Sequence, residues 1–137
     1  MAALEWEELL VSMSHELPQP VKQEPGLDGA VILVGGDPAD VVVRLTRSSA
    51  VVSEFAVDWE GPHEPVTRPI RFGSVRWRQL ESAQALLVLN TLILAARESR
   101  RAKYRTCRFC ESVKPPEWMH ADDVCQTCAE TRLGVRY

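Results

Sequence analysis

The segment Val31-Ile32-Leu33-Val34-Gly35-Gly36-Asp37-Pro38-Ala39-Asp40-Val41-Val42-Val43-Arg44-Leu45-Thr46 decides the fold of this 137-residue chain. Val31 to Val34 form a short apolar run, and Gly35-Gly36-Asp37-Pro38 closes it with a strong turn signal. Val41, Val43 and Leu45 then alternate with Val42, Arg44 and Thr46, the period of two that a half-buried strand requires. Ser48-Ser49 makes the next turn, after which Phe55, Val57 and Trp59 alternate with Glu54, Ala56 and Asp58. Gly61-Pro62 and Pro65 end that third strand. Val66 to Phe72 form a fourth, placed at an edge because Pro69 has no N–H for a ladder bond. Short connections between successive strands predict a four-stranded antiparallel meander.

On the C-terminal side a long helix is predicted from about Val75 to Tyr104. Its middle is apolar nearly all round (Leu86, Leu87, Val88, Leu89, Leu92, Ile93, Leu94), as in a helix surrounded by protein. It reads as the central core element lying across the sheet. On the N-terminal side, Trp6, Leu9, Leu10 and Met13 follow helical spacing within residues 4–16, so a short amphipathic helix is available to cover it. If that helix cannot, the long helix is expected to pair with a second copy as a homodimer. Pro18, Pro20, Pro25 and Gly26 break all periodicity, and residues 17–29 read as a linker. The fold class is α+β: residues 1–106 make the core domain and residues 107–137 a separate zinc-binding module.

Charge is unevenly distributed. The net is −3, but residues 1–96 carry seven Lys/Arg against thirteen Asp/Glu, and residues 97–137 carry nine against six. An overall acidic balance argues against long nonspecific tracking along DNA. The acidic N-terminus, Met1-Ala2-Ala3-Leu4-Glu5-Trp6-Glu7-Glu8, has the wrong charge for a secretory signal. The longest apolar run, Ala83 to Ala96, is 14 residues, short of the roughly 20 that cross a bilayer. A cytoplasmic protein without a membrane partner is expected, and in that reducing setting paired cysteines read as metal ligands before disulfides.

The strongest motif is Cys107-Arg108-Phe109-Cys110, fourteen intervening residues, then Cys125-Gln126-Thr127-Cys128. Each CxxC turn presents two thiolates on one side, and two such turns close a tetrahedral shell around one zinc ion. A closed shell is structural, since hydrolytic zinc keeps a position for water. An iron–sulfur site and redox or disulfide pairing are the other readings of the same cysteines, and His120 is a further donor within the loop. The loop itself, Glu111 to Val124, has only Val113, Trp118, Met119 and Val124 as large hydrophobes. That is too little apolar area to order it, so metal ligation is expected to supply the folding energy. Four thiolates on one Zn²⁺ leave a formal charge of −2, which Arg105, Arg108 and Lys114 lie close in sequence to offset.

A CxxC knuckle, a Pro-containing hairpin and a second CxxC leading into Ala129-Glu130-Thr131-Arg132-Leu133 and Gly134 resemble a treble-clef or related four-cysteine zinc finger. The resemblance covers residues 107–133. Similar modules occur in transcription factors of the DnaK-suppressor type, in the zinc-binding domain of Clp-family unfoldases and at the start of some HNH nucleases; they imply zinc and several partners. Downstream of Cys128 there is no histidine and no asparagine, which argues against a nuclease.

No catalytic residue is assigned. His15 and His63 read as solvated helix-end and turn histidines, Gly35-Gly36 lacks the spacing and lysine of a phosphate loop, and Glu7-Glu8 and Asp122-Asp123 are adjacent rather than facing. A binding protein is expected, with two readings left open. In the first, Arg97, Arg100, Arg101, Lys103, Arg105 and Arg108, with Tyr104 and Phe109 interleaved, dock nucleic acid or the transcription machinery. Cations at a helix C-terminus also stabilise its dipole, which explains the same cluster without a ligand. In the second, Trp118 anchors a protein partner and the zinc is purely structural.

Overall fold

The alternation at 41, 43 and 45 does build the centre of a sheet, and that sheet has five strands. The computed structural model describes residues 2–61 and 64–137; His63 lies outside them. The chain divides into two compact units, Met1–Ala56 with Pro69–Arg100 and Val57–Arg68 with Arg101–Tyr137. The sequence-based boundary at 106/107 therefore moves. Residues 57–68 and 101–106 group with the cysteine module.

In the first unit, helix α1 (Trp6–Glu16) precedes strands β1 (Val21–Pro25), β2 (Val31–Gly36), β3 (Ala39–Leu45) and β4 (Ala50–Glu54). Strands β5 (Val57–Trp59) and β6 (Pro65–Thr67) pair only with each other, in the second unit, before β7 (Ile70–Val75) returns to the sheet. The order is β1-β2-β3-β4-β7, antiparallel throughout. Leu33 lies opposite Val43 and Val43 opposite Val52, and all three are fully buried. Directly paired residues share a face, so this row is the core side of the sheet.

Helix α2 (Ser82–Ala102) crosses that core. Its buried residues are Ala85, Leu89, Ile93, Ala96 and Arg100, one stripe at helical spacing. Ala85, Leu89, Ile93 and Ala96 join Trp6, Leu9 and Met13 of α1 and the sheet residues in one apolar cluster. At Gly73 of β7 an added Cβ would sit 2.9 Å from Leu92 Cδ2, so glycine permits the close approach of helix and sheet.

Five expectations are corrected here. The segment 17–29 contains β1, an edge strand whose residues are mostly exposed and which therefore carries no apolar alternation. The strand expected over Val66 to Phe72 divides at Pro69 into β6 and β7, and the one expected over 54–59 divides into β4 and β5. Helix α2 begins at Ser82 rather than Val75. Val75 ends β7, and Trp77 begins a 3-10 turn, fully buried, its Nε1 donating to Thr46 O at 3.0 Å. Finally, α2 is not enclosed all round. Leu87, Val88 and Leu94 are exposed beside Gln84, Thr91 and Glu98. Among the described residues no helix is long and apolar enough to cross a membrane.

Candidate metal centre

The second unit orders its cysteines with two small hairpins and a short helix. Strands β8 (Arg105–Thr106) and β9 (Val113–Lys114) pair, and the first CxxC fills the turn between them. The Cys107 N–H donates to Ser112 O at 2.9 Å, and the Glu111 N–H donates to Cys107 O at 2.8 Å. Glu111 adopts the left-handed region, φ 61°, and lets the chain curl back after Cys110. Strands β10 (Met119–Ala121) and β11 (Val124–Cys125) form the second hairpin. Cys125 ends β11 and caps α3 (Gln126–Leu133), its Sγ accepting from the Cys128 N–H at 3.4 Å. Gly134, φ 69°, terminates that helix in the left-handed conformation. The Arg108 N–H donates to Asp123 O at 2.8 Å and ties the first knuckle to the second hairpin.

The four ligand atoms of Cys107, Cys110, Cys125 and Cys128 all lie within 4.8 Å of one another. Cys110 Sγ and Cys125 Sγ are 3.9 Å apart, well beyond the 2.05 Å or so of a disulfide. All four are free thiols; Cys107, Cys125 and Cys128 are buried and Cys110 is exposed. Around them the apolar support is small: Val124 and Ala129 are buried, with Phe109, Met119 and Val135 packed against them. The electrostatics divide the set. Backbone N–H groups of Cys110 and Cys125 directed at Cys107 lower its thiol to about 6, whereas burial pushes Cys128 up to about 12. The Ser112 side chain and backbone lower Cys110. Neighbouring thiolates repel, so a metal cation is the group that lets all four sulfurs ionise together.

No family model, curated protein or solved structure matches this chain.

The centre's chemistry thus rests on its own donors. Four cysteines gathered this closely can hold one metal ion. His120, the further donor in the loop, is outside that group and exposed, its Nδ1 2.6 Å from the Tyr137 hydroxyl. Burial, with Glu130 nearby, raises the Tyr137 phenol, which keeps its proton.

The basic residues fall into different settings. Arg97, Arg101, Lys103, Arg105 and Arg108 are exposed. Arg100 is not: it is 2% exposed, its Nε donates to Ala39 O at 3.1 Å, and it lies 3.9 Å from buried Asp40. Its inclusion in a docking surface is corrected. The reason is visible in the helical spacing, where the stripe through Leu89, Ile93 and Ala96 continues onto residue 100. Arg105 Nη1 donates to Ala102 O and Tyr104 O, closing the C-terminal end of α2. Arg108 stacks 4.8 Å over Phe109 and lies 3.9 Å from Asp123. Trp118 is 47% exposed. An open cleft of about 400 Å³, bounded by Lys103, Arg105, Met119 and His120, was not anticipated. Only the cationic pair at 103 and 105 signals it in the sequence.

Proposed function

We propose that the second unit is a treble-clef-like module holding one structural zinc ion, and that the chain is a non-enzymatic nucleic-acid-binding protein. The observation that carries the zinc assignment is the sulfur cluster. Zinc–sulfur bonds of about 2.3 Å put tetrahedral ligands about 3.8 Å apart, and Cys110 and Cys125 stand at 3.9 Å. An iron–sulfur cluster, gripped around an inorganic core, spreads its thiolates wider. The order of knuckle hairpin, second hairpin and cysteine-capped helix supports the treble-clef-like reading. Four sulfurs fill the shell, so this zinc has no position for a reacting water. The zinc itself supplies charge neutralisation and a cross-link.

For the docking role, support comes from the exposed Arg101, Lys103, Arg105 and Arg108, which lead into and through the first knuckle. Phosphate contact needs cations that a polyanion can approach, and these are at the surface. The test is retention on a generic DNA column. Arg101→Ala combined with Lys103→Ala is expected to weaken retention and to flatten its salt dependence, by about one unit of slope for each phosphate no longer neutralised. Equal retention of variant and parent protein overturns the role. A protein partner is the second reading, favoured by the half-exposed Trp118. In that case Trp118→Ala abolishes co-purification of the partner while zinc content and melting stay unchanged.

A further inference from the structure

The cleft of the second unit is the feature that the structural zinc leaves unexplained. It is lined by Lys103 and Arg105 together with His120, Pro116, Met119, Ala121 and Asp122. Three kinds of residue thus border one volume: two cations, apolar and aromatic groups, and one acid. Arg105 spends Nη1 on the helix-end carbonyls, which leaves Nε and Nη2 as donors and holds the guanidinium in place. The Tyr137 hydroxyl and His120 Nδ1 are 2.6 Å apart, a hydrogen bond that holds the ring in place.

We propose that this cleft takes one unpaired nucleotide of a single-stranded nucleic acid, which rests on the nucleic-acid reading above. The phosphate sits with Lys103 and Arg105, and the base lies against the His120 ring with Pro116 and Met119 beneath it. Asp122 accepts from an amino or hydroxyl group of the nucleotide. Histidine rings and apolar side chains are ordinary platforms for splayed-out bases, because every base has a π-face. The size fits as well. A volume of about 400 Å³ lies near the small end of ligand sites, large enough for one base and its phosphate. The bases of a duplex stay stacked and paired, so a duplex reaches only the exposed cations, whereas a single strand can also splay one base into the cleft.

The test uses the full chain with its zinc and follows fluorescence anisotropy of a short labelled single strand and of the matching duplex. The single strand is expected to bind about tenfold more tightly, since stacking of one base is the added contact. His120→Ala, an exposed change outside the cysteine set, is expected to erase that preference and leave duplex binding and zinc content as they were. A nucleoside 5′-monophosphate is expected to displace the single strand where inorganic phosphate at equal concentration does not. If strand and duplex bind alike and His120→Ala alters neither, the cleft proposal is overturned while the nucleic-acid reading stands. If neither probe binds, both fall.

Discussion

Replacing Arg100 by methionine removes a guanidinium from the core of the first unit and keeps much of the side chain's volume. The residue is 2% exposed and the Asp40 carboxylate beside it is fully buried, with Arg100 Nε 3.9 Å from Oδ1. The same Nε donates to Ala39 O at 3.1 Å, and the guanidinium carbon lies 5.3 Å from the Phe55 ring centre. Glu54, a second carboxylate, is 1% exposed. Removing one partner of a buried pair costs about 3–5 kcal/mol, because the other charge stays in a medium that solvates it poorly. With a urea slope of roughly 2 kcal/mol per molar for a domain this small, the midpoint of unfolding falls by about 2 M. The assay is urea unfolding followed by tryptophan fluorescence, in which the buried Trp77 reports on this unit. Two controls give the number meaning. Arg97→Met, on the same helix but exposed, is expected to change stability by less than about 0.5 kcal/mol. Adding Asp40→Asn to Arg100→Met is expected to recover part of the loss, as charges in contact do not act additively. A shift for Arg100→Met no larger than that for Arg97→Met would mean that the guanidinium is solvated and that no buried pair exists.

Three further outcomes follow from particular contacts. Gly73→Val places carbon 2.9 Å from Leu92 Cδ2, the far end of a half-buried side chain that can turn aside, so the substitution is expected to cost no more than about 1 kcal/mol, read in the same unfolding assay; a larger loss would show that Leu92 cannot move. Cys128→Ser removes a buried cysteine of the cluster and, under the proposed function, is expected to abolish stable zinc retention in metal analysis and to unfold the second unit, since its remaining apolar support is Val124 and Ala129 with a few partly buried neighbours. Metal uptake at pH 7 is expected to release fewer than four protons. Cys107, lowered to about 6, is already largely thiolate at that pH, whereas Cys128, raised to about 12, keeps its proton until the metal displaces it. Titration calorimetry in buffers of different ionisation enthalpy counts those protons, and a count of four contradicts the assignment. The sign of the pH effect is fixed by the same chemistry: protons compete with metal for thiolates, so affinity weakens as pH falls, and the Cys107 contribution is lost through about 6.

What the sequence discloses depends on whether a residue's neighbours press a pattern onto it. Val41, Val43 and Leu45 alternate because β3 is a central strand with one face in the core. The cysteine pairs are legible because metal geometry demands their spacing. Strand β1 is not, since Lys22, Gln23, Glu24 and Pro25 lie on an exposed edge where packing imposes no periodicity. The start of α2 is misread because Val75, Trp77 and Leu80 are apolar for other reasons, a strand end and a 3-10 turn whose indole reaches Thr46 O. Arg100 shows the limit most sharply. Composition places it among surface cations, yet the stripe from Ala85 through Ala96 points at it, and buried Asp40, 60 positions earlier in the chain, supplies its charge partner. A partner that distant leaves no mark in local spacing. The same holds for His120 and Tyr137, which meet across 17 residues.

The proposed function requires that the shape of the second unit depend on its four clustered sulfurs closing around one metal ion. The deciding experiment is elemental analysis of freshly purified, reduced protein, run beside a thiol count before and after a strong chelator. One zinc per chain is expected, with four thiols becoming reactive only when the chelator removes it. Protein that carries no metal, with four thiols reactive from the start, would show that the sulfurs do not hold the unit together.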